Sequence, residues 1–371
     1  MTRKCEAKGA VNLAQGFPDF DPPPSVTKAA AKAIVDKGLN QYSTPHGILP
    51  LREAIAEKMR SYNHVDCDPN INVTVTCGTT EAMMASLMAL LDPGDEVVVI
   101  EPFYENYGPD TILSSSRPRY VGLREPDYVL DEDRLKEAFS KKTKAIVVNT
   151  PHNPTGHVFT KKELNLISDL CQEYDAYAIT DEVYEYILYD GREHVSIASL
   201  DGMHDRTVTI SGFSKTYSMT GWRVGYIVAE KPVTSGIRKV HDFLTVCAPT
   251  PLQAGCVRAM KLPDSYYQTL VKNYRSSREL LLKVLRQVGF ECLTPEGAYY
   301  IWTQIDGTGF KDDRKLAEYL INEVGVGAVP GSSFYHEMEM GSHRLRFSFS
   351  KTPATIRTAA SRLAKMSRQA N

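Results

Sequence analysis

The chain has 371 residues, 42% of them hydrophobic and 24% charged, and its formal net charge is -2. That length is enough for a large core and two domains, or one large domain with a smaller companion. The near-neutral balance excludes the strong positive field that would gather nucleic acid or an anionic membrane.

The seven cysteines, Cys5, Cys67, Cys77, Cys171, Cys247, Cys256 and Cys292, are scattered and form no CxxC pair. This spacing argues against a zinc site or a disulfide framework and for reduced thiols, so no metal is expected. The longest apolar run, in "AMMASLMALL", falls short of a membrane span, and "MTRKCEAKGA" lacks the apolar core of a secretion signal. A cytoplasmic protein is expected, without membrane or nucleic-acid partners.

Taken in chain order, residues 1–39 read as loop-rich, with "FDPPP" as a rigid turn, and are expected to pack on the smaller domain. "PLREAIAEKMRSY" places Leu51, Ile55, Met59 and Tyr62 at helical spacing. "NVTVTC" is a β-branched strand ending at Gly78, and "TEAMMASLMALL" is a buried helix stopped by "DPGD". The apolar runs "EVVVI", "KAIVVN", "AYAIT", "TVTI" and "VGYIVA" predict further strands, with "KKELNLISDLCQEY" as a helix among them. The turn before "AIVVN" carries Lys141, Lys142 and Lys144, a solvated cluster. Alternation of this kind predicts an α/β fold with a mostly parallel sheet flanked by helices. Beyond Pro263 one long helix carries a stripe at Leu270, Tyr274, Leu281, Leu285 and Val288. "AYYIWTQI" and "HRLRFSFS" then frame the helix "RKLAEYLINEVG", a smaller α+β unit. The expected division is a large domain over 40–262 and a small one from 1–39 plus 263–371.

Four stretches lie just after strands, where α/β sheets bind ligands. "CGTTEA" joins a strand to a helix. Its free N–H groups and the hydroxyls of Thr79 and Thr80 suit an anion. "NTPHNPTG" is a fixed loop that holds Asn153, whose amide both donates and accepts. "ITDEVYEY" puts Asp181 directly after an apolar strand, where a carboxylate is costly unless paired, with Tyr184 close behind. "ISGFSKTYSMTGWRVGY" sets Lys215 among small and aromatic residues, which favours a nucleophilic amine, and carries Arg223 further on. Taken singly, each has a plainer explanation: a commonplace strand–helix junction, an Asx turn, a helix N-cap, a satisfied loop lysine. Together they describe one ligand with a phosphate, a group that bonds covalently to an amine, a basic ring nitrogen and a ring oxygen. Pyridoxal 5'-phosphate meets every condition, whereas a nucleotide leaves the lysine unexplained.

The chain resembles the class I aminotransferases, fold-type I pyridoxal-phosphate enzymes of the aspartate aminotransferase superfamily, and within them the kynurenine, glutamine and methionine branch. "VNLAQGFPDF", "QYSTPHGILPLREAIA", "EPFYENY", "NTPHNPTG", "DEVY", "GFSKTYSMTGWRVGY", "VPGSSF" and "LRFSFS" follow the family landmarks in order. The resemblance implies that Lys215 forms the Schiff base and shuttles the proton, and that Asp181 pairs with the ring nitrogen. Asn153 and Tyr184 would bond the ring oxygen, and Tyr104 would stack on the ring. Gly78, Thr79, Thr80 and Arg223 would hold the phosphate, with Ser211 or Ser214 as helpers. Tyr42 would complete the site of a homodimer partner. Arg346, helped by Gly16 and Asn153, would grip the substrate carboxylate; on spacing alone Arg344 and Arg346 read as a solvated strand face.

The implied reaction moves an amino group from an L-amino acid to a 2-oxo acid by a ping-pong route. The donor would be apolar, aromatic, sulfur-containing or glutamine-like, since no second arginine is placed for an acidic side chain. A cysteine-conjugate C–S β-lyase and an aspartate aminotransferase are the alternative enzymes. A cofactor-sensing DNA-binding regulator is disfavoured, as no helix-turn-helix stretch precedes residue 11. Family members carry a further segment before "VNLAQG", so the dimer arm and side-chain specificity stay unassigned.

Overall fold

The apolar runs become the strands of one sheet, and the carboxyl ends of the parallel ones lie along one edge. The structure is a computed structural model that describes residues 1–36 and 39–366. Its strands are β1 (Val11–Asn12), β2 (Val73–Thr76), β3 (Glu96–Glu101), β4 (Arg117–Gly122), β5 (Thr143–Asn149), β6 (Tyr177–Asp181), β7 (Thr207–Gly212), β8 (Gly225–Val228), β9 (Glu291–Cys292), β10 (Tyr300–Gln304), β11 (Val326–Gly327), β12 (Val329–Pro330) and β13 (Arg344–Ser348). The helices are α1 (Thr2–Lys8), α2 (Pro24–Val35), α3 (Leu49–Ser61), α4 (Thr79–Leu90), α5 (Tyr107–Leu113), α6 (Glu132–Ala138), α7 (Lys161–Glu173), α8 (Lys231–Thr245), α9 (Thr250–Ala259), α10 (Asp264–Gln287), α11 (Asp313–Tyr319) and α12 (Pro353–Leu363).

Seven strands form the main sheet in the order β2-β8-β7-β6-β5-β3-β4. Strand β8 runs antiparallel to both β2 and β7, and the other pairs are parallel. Successive side chains alternate between two cores. Val98, Ile100, Ile146 and Val148 pack on one face with α7 residues such as Leu164 and Ile167. Val97, Val99, Ala145 and Val147 pack on the other with Ala82, Met83 and Leu87 of α4. Burying each valine, leucine, isoleucine or methionine here stabilises by roughly 1.5–3 kcal/mol, and a one-residue slip would exchange the faces. This is the mostly parallel α/β sheet flanked by helices that the alternation of elements predicts.

The smaller sheet, in the order β12-β13-β10-β9, is antiparallel, and β1 pairs parallel with β11. Helix α10 buries Leu270, Tyr274, Leu281 and Leu285, and its C-cap residue Val288, against Tyr300, Phe347 and Ile356, as the stripe predicts. No helix among the described residues is long and apolar enough to cross a membrane.

Two expectations for residues 1–39 need correction. The segment is not loop-rich: α1 and α2 are helices. Nor does it all pack on the smaller unit, because Val26 of α2 joins the cluster of Leu51, Ile55 and Val73 beside the main sheet. Strand β4 was not anticipated. Pro118 disguises it, and an edge strand tolerates a proline because it needs fewer ladder donors. The expected small domain ends in residues 367–371, which lie outside the described residues.

Candidate active site

The register of the sheet decides what converges. Asn149, at the end of β5, pairs with Asp181, at the end of β6, and Asp181 pairs with Ile210 of β7. The Asp181 side chain is buried, and its Oδ2 accepts from Tyr107 Oη at 2.8 Å and its Oδ1 from the Val183 N–H at 3.2 Å. No helix follows, so Asp181 is not a helix N-cap. Burial raises its pKa, against the lowering pull of the two hydrogen bonds and of Lys215. Asn149 Nδ2 donates to the Asp181 carbonyl at 2.9 Å, which ties the two strand ends together.

Lys215 is half-buried in the loop after β7. Its Nζ donates to the Gly16 carbonyl at 3.1 Å and lies 5.9 Å from the centre of the Tyr184 ring. Tyr299 Oη donates to the same carbonyl at 2.8 Å. Gly16 is required here by proximity: a Cβ on it would lie 1.9 Å from Tyr300 Oη. Tyr184 and Tyr300 share a hydrogen bond of 2.9 Å between their hydroxyls.

Gly78 precedes α4 with φ of 82°, a left-handed conformation that favours glycine. A Cβ there would lie 2.4 Å from Arg223 Nη2, so the guanidinium sits against the start of α4. Arg223 is also left-handed, with φ of 52°, and donates to the Thr220 carbonyl at 3.1 Å. Thr79, Thr80, Ser214, Arg223, Asn153, Asp181, Tyr184 and Lys215 all line one narrow cavity of about 80 Å³. Ser211 does not join them. It points to the far side of β7, where its Oγ donates to Glu185 Oε1 at 2.7 Å, because neighbouring strand residues face opposite ways.

A wider cavity of about 580 Å³ shares Tyr104, Lys215 and Thr220 with the narrow one. Arg346 lines it and is buried rather than solvated. The guanidinium donates to Asn153 Oδ1 at 2.8 Å and to the Ala14 carbonyl at 2.9 Å. It lies between the rings of Tyr300 and Phe334, 4.3 and 4.8 Å from their centres. Its Nε has no hydrogen-bond partner among the described residues. Arg344 is also buried but turns away to Glu125. Tyr104 stands edge-on to Tyr107, with ring centres 5.7 Å apart. Tyr42 is not brought to either cavity of its own chain and is 81% exposed.

The profile of the family "Aminotransferase class I and II" matches residues 8–363. The chain belongs to this family. It is an aminotransferase, and enzymes of the family use pyridoxal 5'-phosphate. Aromatic-amino-acid aminotransferase 2 of Thermococcus litoralis is 37% identical over 97% of this chain and 92% of its own. Human kynurenine–oxoglutarate transaminase 1 is 36% identical over 96% and 92%. The structure of N-succinyldiaminopimelate aminotransferase from Mycobacterium tuberculosis superposes with a TM-score of 0.96 at 36% identity, covering 99% of this aminotransferase and 96% of that chain.

Sequence reasoning missed Tyr107, Asn149, Tyr300 and Phe334. Tyr107 stands in the quoted "EPFYENY", but nothing local distinguishes it from Tyr104. Only the fold shows which of the two reaches Asp181.

Proposed function

We propose that this aminotransferase moves the amino group of an L-amino acid with a neutral apolar or aromatic side chain to a 2-oxo acid, by a ping-pong route. The observation that carries the substrate reading is the wider cavity. Arg346 is the one arginine among the described residues lining it, while Phe17, Tyr104, Tyr300 and Phe334 supply aromatic surface and Glu105 a carboxylate. Once Arg346 is engaged by the substrate's α-carboxylate, no second arginine in that lining remains for an acidic side chain. The relatives' names differ, with aromatic amino acids and kynurenine on one side and N-succinyldiaminopimelate on the other. The lining favours the aromatic side.

The residues present suit the cofactor. Gly78 leaves a cradle that a Cβ would fill, with Arg223 and the start of α4 on either side of it, which suits a phosphate. Thr79, Thr80 and Ser214 offer hydroxyls there. The buried Asp181 suits a ring nitrogen, Tyr184 and Asn153 suit a ring oxygen, and Tyr104 suits a ring face. When bound, pyridoxal phosphate supplies an aldehyde for the amino group and a ring that accepts the electron pair freed at the substrate's α-carbon. Arg346 would hold the substrate carboxylate through its guanidinium fork, with the Gly16 backbone lining the same cavity. Lys215 Nζ, which lines both cavities, would take the α-proton and return it as general base and acid. Asp181 would be the carboxylate partner of the ring nitrogen.

We extend the proposal to a homodimer in which Tyr42 completes the partner's phosphate site. The segment bearing Tyr42 is fastened to α8, since His241 Nε2 donates to the Pro45 carbonyl at 2.9 Å. Phe243 on that helix is 91% exposed, an apolar surface of the kind interfaces cover. The proposed domain division is 40–262 against 1–39 plus 263–371, amended so that α2 goes with the larger unit. The scattered cysteines fit a reducing compartment, which makes the cytoplasm the proposed location.

The test is a donor screen on the purified holoenzyme with L-phenylalanine, L-methionine, L-glutamine and L-aspartate. The reading expects the visible band to bleach with neutral donors and to return with a 2-oxo acid. A response to L-aspartate alone, or pyruvate released from a cysteine conjugate without an oxo acid, overturns it.

A further inference from the structure

The hydroxyl pair Tyr184–Tyr300 stands between the two cavities. Tyr184 lines the narrow cavity and Tyr300 the wide one. Both rings are buried, and the 2.9 Å bond joins their oxygens. Geometry alone permits either hydroxyl to donate. A phenol has one proton, however, so only one direction leaves Tyr184 free to donate elsewhere. If Tyr184 gives its proton to a ring oxygen in the narrow cavity, Tyr300 must donate to Tyr184.

We propose that Tyr300 is a positioning residue for this reaction, whose hydroxyl donates to Tyr184 and thereby aims and strengthens Tyr184 as a donor to the cofactor's ring oxygen. The inference rests on the placement of the cofactor proposed above. Hydrogen bonds in series polarise one another, so a phenol that accepts a bond becomes a better donor. Two contacts hold Tyr300 to this task, and a third ties them to Lys215. Its ring lies 4.3 Å under the Arg346 guanidinium, its hydroxyl sits against the Gly16 backbone, and Gly16 in turn accepts from Lys215. Burial holds the Tyr184 phenol well above its usual pKa, so it keeps its proton. Tyr300 therefore links the guanidinium that takes the substrate's carboxylate to the phenol that touches the cofactor.

The prediction has a sign. A donor to the ring oxygen favours the form in which that oxygen carries negative charge and the nearby amine-derived nitrogen is unprotonated. Weakening the donor should raise the pH midpoint at which the visible band of the holoenzyme changes. A bond in series strengthens its neighbour by roughly 10–30%, so Tyr300→Phe should move the midpoint up by about 0.3 pH unit. Phenylalanine keeps the ring beneath Arg346, so a purely packing role predicts no shift.

The experiment titrates the visible absorbance of holoenzyme from acid to alkali for the wild type, Tyr300→Phe, Tyr184→Phe and the double variant. The expected result is an upward shift in Tyr300→Phe, a larger one in Tyr184→Phe, and no added effect of Tyr300→Phe in the Tyr184→Phe background. If Tyr184→Phe shifts the midpoint but Tyr300→Phe does not, or if the shift persists without the Tyr184 hydroxyl, the inference fails while the cofactor placement stands. If Tyr184→Phe leaves the midpoint unmoved, or no band forms with added pyridoxal phosphate, both fail.

Discussion

The phenol of Tyr107 donates to the carboxylate of Asp181 over 2.8 Å, in a pocket where both side chains are buried. This bond offsets part of the desolvation that raises the Asp181 pKa. Tyr107→Phe removes it and leaves the carboxylate harder to ionise. A hydrogen bond to a charged group contributes about 1.5 kcal/mol, so the dissociation constant of pyridoxal phosphate should rise about tenfold. Absorbance titration of the apoenzyme measures this, and an unchanged constant would separate Tyr107 from cofactor binding.

Lys215, Asp181 and Asn153 should rank in that order. Lys215→Ala removes the proposed acid–base group and should lower turnover by about 10²–10⁴-fold or more. Asp181→Ala removes a buried charge and should cost about 10²–10³-fold in kcat. Asn153→Ala removes the bond from the Arg346 guanidinium but no charge, and should cost about tenfold. Single-turnover kinetics with one amino acid give the order; normal steady-state transamination by Lys215→Ala would end the assignment.

Arg346→Lys keeps a cation but loses the planar fork. The loss of about 1.5–3 kcal/mol predicts a rise in KM of roughly 10- to 150-fold. It should be the same for every amino acid donor, because each has the same α-carboxylate. A KM effect confined to one side chain would place Arg346 at the specificity pocket instead.

His157 gives the loop of Asn153 a pH-dependent anchor. Burial opposes its charge, but Glu163, 3.1 Å away, and Glu296, 3.4 Å away, outweigh it and raise the pKa to about 9. A raised histidine pKa stabilises the fold fully below its ordinary value of about 6.5 and loses that contribution as pH rises toward 9. Glu163 is held at about 2, against its burial, by the same partner and by backbone donors. Its contribution is present above about 4.5 and fades as pH falls toward 2. Urea midpoints should therefore decline between pH 6.5 and 9, and His157→Gln should flatten that slope. An equal slope in the variant would locate the titration elsewhere.

Much of the main sheet was legible in the residues themselves. "EVVVI", "KAIVVN" and "AYAIT" are β-branched or apolar runs bounded by turns, and each is a strand. Punctuation marked the site, since Gly78, the "NTPHNPTG" loop and Lys215 all follow such runs. Local chemistry sufficed there because strand propensity, turn residues and the cost of a carboxylate at a strand end act over a few residues.

Short-range patterns in the chain therefore suffice for the family, the α/β order of elements and most of the residues that meet at the strand ends. The tertiary structure decided the pairings that cross the chain. Arg344 and Arg346 have the same spacing signal, yet one meets Glu125 and the other meets Asn153 and Ala14. Ser211 and Ser214 look equivalent in "SGFSK", yet one faces Glu185 behind the sheet and the other faces the cavity. Helix α2 hid in an alanine-rich stretch because its partner, α9, lies more than two hundred residues away in sequence. Direction and partner depend on strand register and on which faces the cores consume, and those are properties of the packed chain rather than of any short stretch of it.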